Sequence, residues 1–291
     1  MSRLRAIKHP IKGVLRNRRI EVVVPPSRRP SDGHHVRVRR YDLPADVAST
    51  VHVPGRNAMY VDLERIVNRA GFAYGGSFWH PFVAALEQHL DDPGLPYERS
   101  VLHAFYERFQ PRTVHELLFD DAAVSRRTLA GWPAIEPLID VWPVTAAHVA
   151  WGMSSSDGRS ELPHSQYRGP TSELFGAKHL RRVVEAYESF QREGYRPDAY
   201  GFVSGYFITD SDDYRFVLGH GNHRMAALSV LGHRRVAVTL REAHPPVVER
   251  QRLDRWTRPR GGLLERDEAI AVFEQLLVGD SRERARRLGL T

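Results

Sequence analysis

Apolar residues recur along this chain with two periods, and the switches between them mark its elements. Near the start, residues 20–24 (Ile-Glu-Val-Val-Val) are β-branched and stop at Pro25-Pro26, which predicts a short strand. Val36-Arg37-Val38-Arg39 alternates and predicts an edge strand protected by its charges. From Ser77 the spacing becomes helical. Phe82, Leu86 and Leu90 form one stripe, and Leu102, Phe105, Tyr106 and Phe109 form a second. A third, short helix is expected between Val114 and Phe119. Residues 78–120 therefore read as a helical unit whose aromatics pack a core rather than cage a ligand.

Residues 131–175 carry no clean period. Trp132, Trp142 and Trp151 sit among prolines and glycines, and Ser154-Ser155-Ser156-Asp157-Gly158 reads as a flexible loop, a boundary or a lid. Order returns at Gly176. Leu180, Val183, Val184, Tyr187 and Phe190 share one face of an amphipathic helix that ends at Gly194 with Pro197 beyond. Residues 202–208 and 214–218 read as two strands of a hairpin around a polar turn. A helix over 223–231, closed by Gly232, and a strand over 235–240 follow. The order is helix, strand, strand, helix, strand. Pro245-Pro246 ends this unit, and 252–262 is charged and irregular. Ile270, Phe273, Leu276 and Leu277 mark a further helix. Asp280 with Glu283 resembles a capping box for a last, arginine-rich helix.

Composition narrows the class. Among 291 residues, 42% are hydrophobic and 26% charged, an ordinary globular balance. Cysteine is absent, which removes disulfides, thiolate metal sites and cysteine catalysis, and agrees with a cytoplasmic protein. Pro10, Lys12 and Arg16 interrupt any secretory core at the basic start, and no stretch approaches the length of a membrane span. The net charge of +7 is spread along the chain in short arginine runs, a weak footprint for nucleic acid. The 15 histidines show no His-Glu-x-x-His spacing, so no dedicated metal site is expected. No Gly-x-Ser-x-Gly elbow occurs.

The densest chemistry lies in Leu218-Gly219-His220-Gly221-Asn222-His223-Arg224. A strand, a glycine-rich turn and a helix start bring bare N–H groups, the positive end of a helix dipole and a guanidinium together. Arg224 can fork onto a phosphate, and His220 and His223 can donate hydrogen bonds or move a proton. Asn222 can cap the helix or bond a ligand oxygen. The same residues also serve as a plain tight turn with Asn222 as its cap. The spacing is neither that of a Walker A loop nor that of a dinucleotide fingerprint.

Residues 169–240 resemble the ParB/sulfiredoxin-like superfamily. The order of elements agrees, as do the Gly194-Tyr195-Arg196-Pro197 exit and the turn, where sulfiredoxins carry Gly-Gly-Cys-His-Arg and this chain has His220-Gly221-Asn222-His223-Arg224. Gly169-Pro170-Thr171-Ser172, Tyr200-Gly201, Gly205-Tyr206-Phe207 and Asp213-Tyr214-Arg215-Phe216 look like ParB-like proteins encoded with bacterial surface-polysaccharide genes. The resemblance covers about a quarter of the chain and implies a nucleotide whose phosphates contact Gly219, His220, Gly221, Asn222, His223 and Arg224. Asn222 at the cysteine position excludes sulfinic acid reduction, and no helix-turn-helix follows the turn. Kinase relatives imply Glu173 as a catalytic carboxylate; Glu188 is a rival base, His223 can carry a proton, and Arg168 and Lys178 flank Glu173 as candidate phosphate grips.

The expected protein is thus α+β. A region of short strands and helices over 1–160 precedes a ParB-like nucleotide-binding domain over 161–245 and a charged helical tail over 246–291. The expected activity is phosphoryl transfer from Mg²⁺-ATP or Mg²⁺-CTP to a small molecule or glycan precursor. A nucleotide-gated module without turnover, and a DNA-binding or nuclease role, are the alternatives.

Overall fold

A computed structural model describes residues 39–40, 58–111, 166–211, 213–240, 247–256 and 266–291. All belong to one compact unit, His35–Thr291. The strand expected at 20–24, the helix expected at 114–119 and the 154–158 loop lie outside the described residues.

The protein is α+β, with seven strands in one sheet among the described residues. In chain order the elements are β1 (Arg39–Arg40), β2 (Ala58–Asp62), β3 (Ile66–Asn68), α1 (Pro81–Asp91), α2 (Val101–Arg108), α3 (Glu173–Glu193), α4 (Pro197–Tyr200), β4 (Val203–Asp210), β5 (Asp213–His220), α5 (Asn222–Val230), β6 (Arg235–Leu240), β7 (Val247–Glu249), α6 (Arg266–Val278) and α7 (Arg282–Arg287). The sheet order is β1-β2-β6-β4-β5-β3, with β7 also on β4. β4 and β5 form the expected antiparallel hairpin, and β6 runs parallel to β4. β7 continues along β4 from Phe207 to Thr209, beyond the stretch that β6 covers.

Residues 58–111, read from sequence as part of an N-terminal region, share this sheet and core with 166–291. β2 pairs antiparallel with β6, and β3 pairs parallel with β5. β2 and β3 escaped the sequence reading because each is too short to show a clear alternation, and β3 is buried on every residue. The two helical stripes became α1 and α2. His80 caps α1 through its side chain, which accepts from the Phe82 N–H, and Ser100 caps α2.

Helices α1, α3 and α5 pack on one another, while α6 packs with the 3₁₀ segment Arg250–Trp256 and against β4 and β5. Phe72, Phe82, Phe105 and Phe216 are fully enclosed in the core. The last helix departs from its expected capping box. Asp280 Oδ1 accepts from the Arg282 N–H at 3.0 Å, Ser281 Oγ donates to the Trp79 carbonyl at 2.5 Å, and Glu283 pairs with Arg286 at 2.6 Å.

Candidate functional site

The 219–224 turn sits where β5 meets α5, and two glycines shape it differently. On β4, the neighbours Ser204 and Gly205 pair with His220 and Leu218, so Gly219 is the extra residue of a β-bulge. Gly221 takes φ +105° and forms the N-cap of α5 with no side-chain hydrogen bond. A Cβ there would lie 2.6 Å from Val203 Cγ1, so both conformation and space demand glycine. The helix begins one residue earlier than its apolar pattern suggested, and Asn222 is its first residue rather than its cap.

Asn222 is buried at 3% exposure, and its side chain is used inside the protein. Its Oδ1 accepts from the Tyr74 hydroxyl at 2.5 Å, and its Nδ2 donates to the Tyr167 hydroxyl at 3.1 Å. Burial pushes the Tyr74 phenol well up, which keeps it protonated as the donor. Tyr74 stacks on His80 with ring centroids 4.1 Å apart, and His80 Nε2 faces Asn68 Nδ2 at 3.2 Å. Asn222 therefore ties the turn to the loop before α3 and to the segment after β3. Its amide is committed to tyrosines instead of a ligand, and its backbone N–H is what it can offer to a phosphate.

His223 Nε2 lies 2.6 Å from His179 Nδ1, a residue of α3 that the sequence did not single out. The two rings are nearly parallel, 4.9 Å apart, and Phe82 stacks on His223 at 4.9 Å. Phe175 meets His179 edge-on at 4.4 Å. Burial pushes the His223 pKa well down, and His179, Arg182, His80 and His220 push it the same way. The His223 imidazole is therefore neutral at pH 7.

Arg224 is half-buried. Its guanidinium donates to the carbonyls of Gly201 and Phe202, the latter at 3.3 Å. Burial lowers its pKa, partly offset by Tyr195, but a guanidinium stays charged. Among the described residues no carboxylate pairs with it. A cation at a helix start, held by main-chain oxygens and left without a counter-charge, is the electrostatic condition of an anion site.

The other predicted residues are distributed around this centre. His220 is the exposed last residue of β5. Lys178 is half-buried on α3, next to His179. Arg168, expected as a phosphate grip, is 2% exposed, and its Nη1 donates to the Gly169 carbonyl at 3.2 Å. Glu173 is the exposed first residue of α3, where its charge helps raise the Tyr97 phenol, burial being the larger cause, to about 12. Among the described residues, no hydrogen bond or ion pair joins Glu173 to the turn. Glu188 lies further along the same helix, exposed.

The comparisons add no relatives. No protein-family model matches this chain, and neither the curated proteins nor the solved structures show a significant match.

Proposed function

We propose that this protein binds a nucleoside triphosphate, ATP or CTP, with its phosphate chain on the 219–224 turn. The observation that carries this is Arg224, a half-buried guanidinium without a carboxylate partner among the described residues, fixed at the start of α5 by the carbonyls of Gly201 and Phe202. Gly221 clears the approach to the main chain, and the neutral His223 offers a hydrogen bond without competing as a counter-ion. The resemblance of residues 169–240 to the ParB/sulfiredoxin-like superfamily supports the same ligand. Among the described residues no three His, Asp or Glu side chains stand together, so Mg²⁺ would arrive on the phosphates, as such ions commonly do.

The activity proposed for the bound nucleotide is phosphoryl transfer to a hydroxyl of a small molecule or glycan precursor. Glu173, at the exposed start of the helix that carries His179, is the carboxylate proposed to receive the hydroxyl proton. Its exposure and its lack of a contact to the turn favour, as the second reading, a nucleotide-gated module without turnover.

Titration of ATP and CTP with Mg²⁺ against the folded protein tests binding. Arg224→Ala is expected to weaken it at least about tenfold, the loss of one charged hydrogen-bonding group. Unchanged affinity in folded R224A would refute the site. Glu173→Gln separates the two readings, since it abolishes transfer only if there is transfer, and leaves binding intact in both.

A further inference from the structure

Arg69 is buried at 6% exposure, and its Nε is enclosed without a hydrogen-bond partner. Among the described residues no carboxylate, carbonyl or aromatic ring engages its guanidinium. A buried cation in that condition is expensive and is seldom kept without a counter-charge. The neighbouring arginine shows what satisfaction looks like here: Arg284 donates to the Ala70 carbonyl at 3.2 Å and lies over Phe72 and Phe109.

The register shows where Arg69 stands. β3 runs parallel to β5 with Asn68 opposite Leu218, so both strands end at the same sheet edge. Arg69 and Gly219, the bulged residue that opens the turn, are the first residues past this last pair. The chain then reverses at once. Asn68 Oδ1 accepts from the N–H groups of Ala70 at 2.9 Å and Phe72 at 3.0 Å, and the Gly71 N–H donates to the Asn68 carbonyl at 3.0 Å. This fixes the backbone that presents Arg69. Asn68 also faces His80, which belongs to the same buried polar chain as Tyr74 and Asn222.

We infer that Arg69 is a second anion-binding guanidinium of the 219–224 site, and that Arg69 and Arg224 together hold adjacent phosphates of a di- or triphosphate. This rests on the phosphate-binding reading of the turn and extends it to a residue about 150 positions upstream in a segment outside the resemblance, as the gap from 69 to 219 shows. The ligand class is a polyphosphate: two guanidiniums converging on one site suit a pyrophosphate group better than a single carboxylate.

The test uses the full chain, with inorganic pyrophosphate as probe, and compares wild type with Arg69→Met, Arg69→Lys and Arg224→Ala. Met keeps most of the side-chain length and removes the charge. Without anion, R69M is expected to unfold at the same temperature as wild type or higher, because an unpaired buried charge has been removed. With pyrophosphate, the rise in unfolding temperature seen in wild type is expected to vanish or shrink strongly, with affinity at least about tenfold weaker. R69K should recover part of the response. If R69M is less stable without anion yet keeps the full pyrophosphate response, Arg69 is structural and the inference fails. If R224A abolishes the response and R69M keeps it, only this inference fails. If R69M abolishes it and R224A keeps it, Arg69 binds the anion and the reading of the turn fails. If wild type shows no response, both fail.

Discussion

His179 Nδ1 and His223 Nε2 approach to 2.6 Å across 44 residues of sequence, with Phe82 stacked on the His223 ring. A contact this short holds one proton between the two ring nitrogens, so the rings cannot both be cationic there. Burial and the neighbouring His179, Arg182, His80 and His220 enforce that by holding His223 well below the ordinary histidine range. At neutral pH the turn thus presents one permanent cation, Arg224, and one neutral hydrogen-bonding ring. NMR titration of the His223 ring should show no protonation between pH 8 and pH 6. A midpoint inside that window would contradict the arrangement.

Stability should fall in mild acid. His80 is fully buried, and burial lowers its pKa to about 3, against about 6.5 in an unfolded chain. Below pH 6.5 the unfolded chain takes up a proton that folded His80 refuses. The contribution is therefore complete above pH 6.5 and erodes as pH falls towards 3, by up to about 1.4 kcal/mol per pH unit for this one residue. His223 acts in the same direction. Urea midpoints measured from pH 7.5 to pH 4.5 should decline, and His80→Asn should flatten the slope. Equal slopes in the two proteins would assign the acid sensitivity elsewhere.

Gly221→Ala combines two penalties. The residue would need φ +105°, and its Cβ would meet Val203 Cγ1 at 2.6 Å. The conformational part alone costs on the order of 1–3 kcal/mol. Adding Val203→Ala should recover only the steric part, so chemical denaturation of G221A and of the double variant should both fall short of wild type. Full recovery in the double variant would mean that the backbone conformation imposes no cost.

Asn222→Ala should destabilise by removing the acceptor of the buried Tyr74 hydroxyl, at about 1–3 kcal/mol. A double-mutant cycle with Tyr74→Phe should show coupling, because removing the hydroxyl removes most of what the lost amide cost. Additive losses would show that the two side chains do not depend on each other.

Arg284→Ala should loosen the C-terminal helix. The guanidinium lies 5.1 Å from the ring centroids of both Phe72 and Phe109 and donates to the Ala70 carbonyl. Losing two cation–π contacts and one buried hydrogen bond should cost roughly 2–4 kcal/mol. Hydrogen exchange should accelerate in residues 282–291 before it does in α5. Unchanged protection there would mean that this clamp does not hold the tail.

Much of the local structure was legible in the chain. The helically spaced stripes of Phe82, Leu86, Leu102 and Phe105 specify α1 and α2, and the two apolar runs either side of the polar turn at Asp210 specify the β4–β5 hairpin. The turn was legible too, because Gly-x-Gly before His-Arg makes local demands that the sequence states outright. Its partners were not. His179 sits among ordinary helical residues, and only the packing of α3 on α5 reveals it as the companion of His223. The fate of Asn222 depended on two tyrosines, one 148 residues upstream and the other 55, and a side chain that suits a cap or a ligand equally well was claimed by both.

By itself the sequence determined the periods, the breaks and the one turn whose glycines, histidine and arginine could cradle an anion, since these follow from backbone sterics and local spacing. Tertiary structure alone decided which side chains remain available to a ligand. Strand pairing brought β3 beside β5, so that both strands end at one sheet edge, and burial neutralised His223, enclosed Arg168 and left Arg224 without a carboxylate among the described residues. Those outcomes depend on desolvation and long-range contact, which no local pattern of residues encodes.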